Sequence, residues 1–132
     1  MAFLIDTNIA IHAIDGLRSV LDKLKQHNGV VILSALSLVE LQLGIYKSQE
    51  GSSFRLVRLK GILQSIPVLP FDQAAAESYG QIIAQIGWVR SRDFDRMIGA
   101  HALVTSSILV TANTADFSDI PGLTIEDWTD AA

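Results

Sequence analysis

The sequence predicts an α/β fold in which helices cover both faces of a central parallel sheet. Short apolar runs alternate with stretches of helical periodicity along the whole chain, the pattern of βα units. Two of those runs, Met-Ala-Phe-Leu-Ile and Ser-Ile-Leu-Val-Thr, lead into Thr and Asn with an acid close by, which sets polar side chains where ligands bind open parallel sheets. With 49% hydrophobic residues the chain is too apolar for disorder. Its longest apolar stretches still fall far short of the ~20 residues of a membrane span.

Residues 2–5 read as a buried strand, apolar on both faces. Asp6-Thr7-Asn8 ends it and offers an N-cap to a helix over 8–14, with a second helix over 17–27. Asn28-Gly29 turns the chain into a strand at 30–33, and Ser34 caps a long helix over 35–48. Glu50-Gly51-Ser52-Ser53 is the clearest break. Beyond it Leu56, Leu59, Ile62 and Leu63 recur at helical spacing and predict a helix over 54–65. Pro67 and Pro70 bracket a short strand around 66–69, a helix spans 73–86, and residues 87–94 read as a loop. A helix over 95–104, a strand at 107–111 and, after Pro121-Gly122, a short strand at 123–125 complete the alternation. No repeat or low-complexity tract interrupts it, and one domain over residues 1–132 is expected, long enough to bury about two thirds of its unfolded surface.

The chain has no cysteine, and Asp6 interrupts the first apolar run, so no secretory signal is expected and a cytoplasmic protein is. A net charge of −4 argues against simple electrostatic capture of nucleic acid. The distribution qualifies that argument. Lys47, Arg55, Arg58 and Lys60 form one basic cluster and Arg90, Arg92 and Arg96 another, while beyond Arg96 there are acids but no Lys or Arg. Such a zone either guides a phosphate backbone or is an ordinary solvated helix face.

The acids carry the chemistry. Asp6 is either a helix cap alone or a ligand at the sheet edge. Glu40 lies in a helix apolar on nearly every side, where Leu36, Ser37, Leu43 and Gly44 leave it no cation one turn away, so an ionised Glu there calls for a metal or another partner. Asp95 opens the helix at 95–104, as its cap or as a second carboxylate beside Asp6, and Asp93 competes for that role. Thr111, Asn113 and Asp116 repeat the opening logic of Asp6, Thr7 and Asn8. Carboxylates with Thr and Asn oxygens, without Cys or paired His, suit Mg²⁺ or Mn²⁺ rather than zinc. His12, His27 and His101 have no metal-ligand spacing, and His101 reads as a core residue or a support for the site. With no phosphate loop and no nucleophile motif, metal-activated water is the favoured chemistry.

Five segments in order, Leu4-Ile5-Asp6-Thr7-Asn8, residues 37–44, residues 95–103, Val110-Thr111-Ala112-Asn113 and residues 116–128, resemble the PIN-domain ribonucleases, and within them the VapC-type toxins of toxin–antitoxin pairs. The resemblance implies a PIN-like three-layer α/β/α fold with a parallel sheet of four to five strands. It implies Asp6, Glu40 and Asp95 as the principal acids, holding Mg²⁺ and cleaving single-stranded RNA. It prefers Asp95 to Asp93, since the family's acid stands three residues before the Ile of a small-small-His-Ala run. Thr7, Asn8, Thr111 and Asn113 would be polar supports, and a homodimer with a VapB-like antitoxin partner would follow. The antitoxin would cover apolar positions on the helices at 35–48 and 54–65, Leu41, Ile45, Tyr46, Phe54 and Val57.

Two departures stand out. Asn113 occupies a position where many PIN domains carry an acid, which leaves Asp116 as a substitute or a three-acid site. Val89-Arg90-Ser91-Arg92 replaces a Gly-Pro type turn. A receiver-like phosphoacceptor is disfavoured, because adjacent acids after the first strand and a Lys after the last are missing. A PIN nuclease of RNA processing without a toxin role and a non-catalytic PIN scaffold are the other readings, and the latter would normally have lost one of the three acids.

Overall fold

In the computed structural model, which describes residues 1–129, five parallel strands run in the order β3-β2-β1-β4-β5. They are β1 (Phe3–Ile5), β2 (Val31–Ser34), β3 (Val68–Leu69), β4 (Ile108–Val110) and β5 (Ile125–Glu126). The helices are α1 (Thr7–Ile14), α2 (Arg18–Gln26), α3 (Ala35–Lys47), α4 (Ser52–Leu63), α5 (Gln73–Ile86) and α6 (Asp93–Val104). The last three residues of the expected domain, 130–132, lie outside the described residues.

Alternation along the strands divides the core into two layers, because successive side chains point to opposite faces. Phe3 and Ile5 of β1, Val31 and Leu33 of β2 and Val110 of β4 pack with Ile9, Ile14, Leu41, Ile45 and Leu59 from α1, α3 and α4. Leu4 and Leu109 point the other way, to Ile82 of α5 and Ile98, Ala100 and Ala102 of α6. This is the expected three-layer α/β/α arrangement. Each fully buried Leu or Ile contributes roughly 1.5–3 kcal/mol. Small residues let α6 lie close: a Cβ on Gly99 would stand 2.6 Å from Ile120 Cδ1.

β1 sits between β2 and β4, with Phe3 opposite both Val31 and Ile108. The chain leaves β1 toward one side of the sheet and later returns on the other, so a crevice opens beyond the carboxyl ends of β1 and β4, where ligands bind in such sheets. The positions of the elements agree with the sequence reading to within a few residues, with one consequential difference. Arg90–Arg92 form a 3₁₀ turn that runs directly into α6, and the helix starts at Asp93 rather than 95. Asp93 and Asp95 both fall in its first turn, where negative charge is favoured by the helix dipole.

Candidate metal centre

Asp6 ends β1 in extended backbone, and its amide donates to Val110 O of β4 at 3.0 Å. One carboxylate oxygen, Oδ1, accepts the Ile9 amide at 2.9 Å and caps α1. The capping and strand-edge roles are thus compatible, because a carboxylate has acceptor capacity beyond one bond. Asp6 is 6% exposed. Burial pushes its carboxyl above the ordinary range, opposed by the Thr111 hydroxyl, the Ile9 amide and the nearby charge of His12.

Glu40 corrects the sequence reading. It is exposed, as are its neighbours Val39 and Leu43, so an apolar surface rather than a buried helix surrounds it, and the expected cost of burying its charge does not arise. Its partner is on another helix: Thr7 Oγ1 donates to Glu40 Oε1 at 2.6 Å. Leu41 and Ile45, expected on a surface, are core residues instead.

Asp95 is not the cap of α6. Arg92 holds that position, without a side-chain hydrogen bond to the helix. The Asp95 carboxyl is pushed up to about 6, chiefly by burial and then by the charges of Asp116, Asp6 and Glu40, with Arg92 opposing. Asp93 is engaged elsewhere, accepting a hydrogen bond from the Tyr79 hydroxyl of α5.

A cavity of about 200 Å³ joins these groups, lined by Asp6, Thr7, Asn8, Glu40, Phe94, Asp95, Ile98, Asn113 and Phe117. No Lys, Arg or His lines it. Asn113 stands at its edge, its amide donating to Thr111 Oγ1 at 3.0 Å, and Asp116 acts on Asp95 through its charge without lining the cavity. Among the described residues no three acids or histidines are already drawn into a ligand cluster. The donor chemistry nevertheless fits a hard divalent cation: three carboxylates with Thr and Asn oxygens, on a lining without Lys, Arg or His. His101, by contrast, is a buried tie between layers, with Nδ1 2.8 Å from Ser34 Oγ. A larger cavity of about 270 Å³ near Leu69, Asp72 and His101 gathers no comparable group of acids.

Sequence reasoning missed the apolar walls, Phe94, Ile98 and Phe117. It also missed the brace behind them. Arg96, assigned to a basic surface cluster, is 1% exposed and donates through Nη1 and Nη2 to Asp119 at 3.4 and 3.2 Å, with its Nε buried and unpartnered. Its spacing from Gly99 and Ala100, three and four residues on in α6, was the available signal, since those positions share the helix face turned inward.

Residues 3–123 match the PIN domain family. Over 132 residues the chain is 37% identical to the tRNA(fMet)-specific endonuclease VapC of Shigella flexneri, covering 97% of this chain and 98% of that protein. Among solved structures it resembles DNA-bound VapBC from Salmonella typhimurium, with TM-score 0.87, 31% identity and coverage of 97% and 98% of the two chains. VapBC2 from Rickettsia felis, bound to a DNA fragment from its promoter, gives TM-score 0.85 at 28% identity, covering 97% and 99%.

Proposed function

This chain belongs to the PIN domain family, and from that membership we propose that it is a divalent-metal-dependent endoribonuclease, the toxin of a toxin–antitoxin pair. The observation that carries the reading is the meeting of Asp6, Glu40 and Asp95 at one cavity whose lining holds no Lys, Arg or His. Asp6 and Asp95 would hold Mg²⁺ or Mn²⁺, with Glu40 completing the acidic set. When bound, the ion lowers the pKa of water and offsets charge on the scissile phosphate.

The chain's own groups supply the rest. Thr7 fixes Glu40, which orients the attacking water and takes its proton. The water oxygen bonds to phosphorus as the bond to the leaving sugar oxygen breaks, and that oxygen takes a proton from solvent, giving a phosphate monoester and a sugar hydroxyl. The Ile9 amide and Thr111 hold Asp6, while Asn8 and Asn113 offer polar contacts at the rim.

A VapB-like antitoxin is the proposed partner, with a homodimer of this chain as its platform. Val39, Leu43, Tyr46, Phe54 and Val57 are exposed on α3 and α4, and Ile14, Leu41 and Ile45 line a small cleft to which α3 and α4 both contribute. An apolar antitoxin segment suits that surface, and an antitoxin Arg suits the acids. No helix is long and apolar enough to cross a membrane among the described residues, and the proposed place of action is the cytoplasm, where RNA is met.

The test is cleavage of single-stranded RNA with Mg²⁺, with a chelator, and by Asp6→Asn. The Shigella relative makes tRNA(fMet) the first substrate to assay. Chelation and Asp6→Asn should each abolish cutting, and saturating antitoxin should suppress it. Wild-type rates from Asp6→Asn at matched metal would overturn the site; activity indifferent to antitoxin would overturn the toxin role.

A further inference from the structure

The connection between α5 and α6 is pinned at both ends and tipped with side chains that water does not favour. Gly87, at φ +83°, closes α5 with its amide on Ile83 O at 2.8 Å. That backbone conformation suits glycine. Arg92 returns an amide to Val89 O at 3.0 Å and reaches Asp119 at 3.7 Å, and Asp93 is tied to Tyr79. Between these anchors Trp88 is 58% and Val89 42% exposed, with Arg90 and Ser91 exposed beside them. Arg90 makes no salt bridge among the described residues.

This tip leads in sequence into a wall of the acid cavity. Phe94 and Asp95, which line the cavity, come directly after the Arg90–Arg92 turn and Asp93, and the stretch from Trp88 to Asp95 spans at most about 25 Å. The charge of Arg92 already reaches Asp95. An acidic cavity on a protein of net charge −4 repels phosphates, so a polyanion needs cations at its approach. A rigid surface Trp beside a free Arg is also the pairing that stacks a base and holds a phosphate without reading sequence.

We propose that Trp88 and Arg90 form a docking platform for single-stranded RNA at the mouth of the acid cavity, Trp88 stacking on a base and Arg90 pairing with a phosphate beside the scissile bond. The choice of RNA rests on the nuclease reading above.

The chain has two tryptophans, and the other, Trp128, is 1% exposed, so a neutral quencher such as acrylamide reports on Trp88. The assay uses Asp6→Asn protein, Mg²⁺ and a short single-stranded RNA of mixed sequence. RNA should shield the quenchable fluorescence severalfold. In the otherwise native enzyme Trp88→Ala should raise KM for RNA about tenfold with kcat nearly unchanged. Trp88→Phe should recover most of that loss, and Arg90→Glu should raise KM where Arg90→Lys does not. RNA that binds without shielding Trp88, or an unchanged KM in Trp88→Ala, overturns the platform while leaving the nuclease intact. An unchanged KM accompanied by a shift in mass by light scattering, or by weaker antitoxin binding, assigns the tip to a protein contact instead. Shielding without any cleavage by native protein would sink the nuclease reading and keep the platform.

Discussion

Thr7 Oγ1 and Glu40 Oε1 are 2.6 Å apart although 33 residues separate them in sequence, so the first residue of α1 fixes the only cavity-lining acid that α3 supplies. Asp6 and Thr7 therefore act as a unit, one side chain presenting a carboxylate and the next steering another. Thr7→Val keeps the shape and removes the donor. The bond lies near solvent, so stability should change by less than about 0.5 kcal/mol. RNA cleavage should fall by about tenfold, mostly in kcat, because a misplaced Glu40 loses the geometry the reaction needs. Thr7→Ser should restore it, and an unchanged kcat in Thr7→Val would make the bond incidental.

Asp93 and Asp95 should separate cleanly. Asp95→Ala should abolish cleavage while leaving α6 intact, since Asp95 is not its cap. Asp93→Ala should keep most activity but lose roughly 1 kcal/mol through the abandoned Tyr79 hydroxyl. Asp116→Asn is the intermediate case: its charge bears on Asp95, so activity should drop partially and the pH profile should shift to lower pH. Total loss in Asp116→Asn would make it the substitute for the acid absent at Asn113. Rates and urea unfolding on the three variants decide the ranking.

The alternation of strands and helices was legible because a parallel sheet buried on both faces needs short apolar strands, and Phe3-Leu4-Ile5 and Ile108-Leu109-Val110 supply them. Asp6 was legible as well, being the polar break at the end of such a strand. Glu40 was noticed for the wrong reason. Periodicity cannot distinguish an apolar face turned to the core from one turned to solvent and open to a partner, and Val39 and Leu43 are the second kind. Arg96 was read as surface because its partner, Asp119, lies 23 residues away on another segment. The start of α6 was misplaced because Arg90-Ser91-Arg92 has no breaker to mark where the 3₁₀ turn becomes a helix.

Acidity should stabilise the metal-free protein. Asp95 has its folded pKa raised to about 6 from an ordinary 3.8, so the folded state binds that proton more tightly than the unfolded chain does. The resulting contribution is fully present below the ordinary value and is lost as pH rises through about 6. Asp6, raised by burial, works in the same direction. In chelator, Asp95→Asn should therefore raise Tm more at about pH 7.5, above the window from 3.8 to about 6, than at about pH 4, near its lower end. Divalent metal at neutral pH should stabilise the native chain and not the variant. Equal Tm differences at both pH values would mean that neither burial nor the neighbouring acids raise the Asp95 carboxyl.

Asp119 should show the opposite dependence. Arg96 hydrogen-bonds it and, with Arg92, holds its carboxyl below the ordinary range, so its contribution is present above that range and is lost as pH falls through the lowered value. Because Asp119 is itself partly exposed, the larger cost of breaking the pair lies in what is left behind, a guanidinium with its side chain 2% exposed. Asp119→Ala should cost roughly 3 kcal/mol, near the low end for orphaning a buried charge. Arg96→Met should cost less, since it removes the charge and fills much of the volume. Asp119→Ala should also slow RNA cleavage, because the brace ties α6, with Asp95, to the segment that carries Phe117 to the cavity wall. Urea unfolding at neutral pH and again in acid should show the Asp119→Ala penalty shrinking in acid. If Arg96→Met proves the more damaging of the two, the guanidinium contributes through packing rather than through its carboxylate.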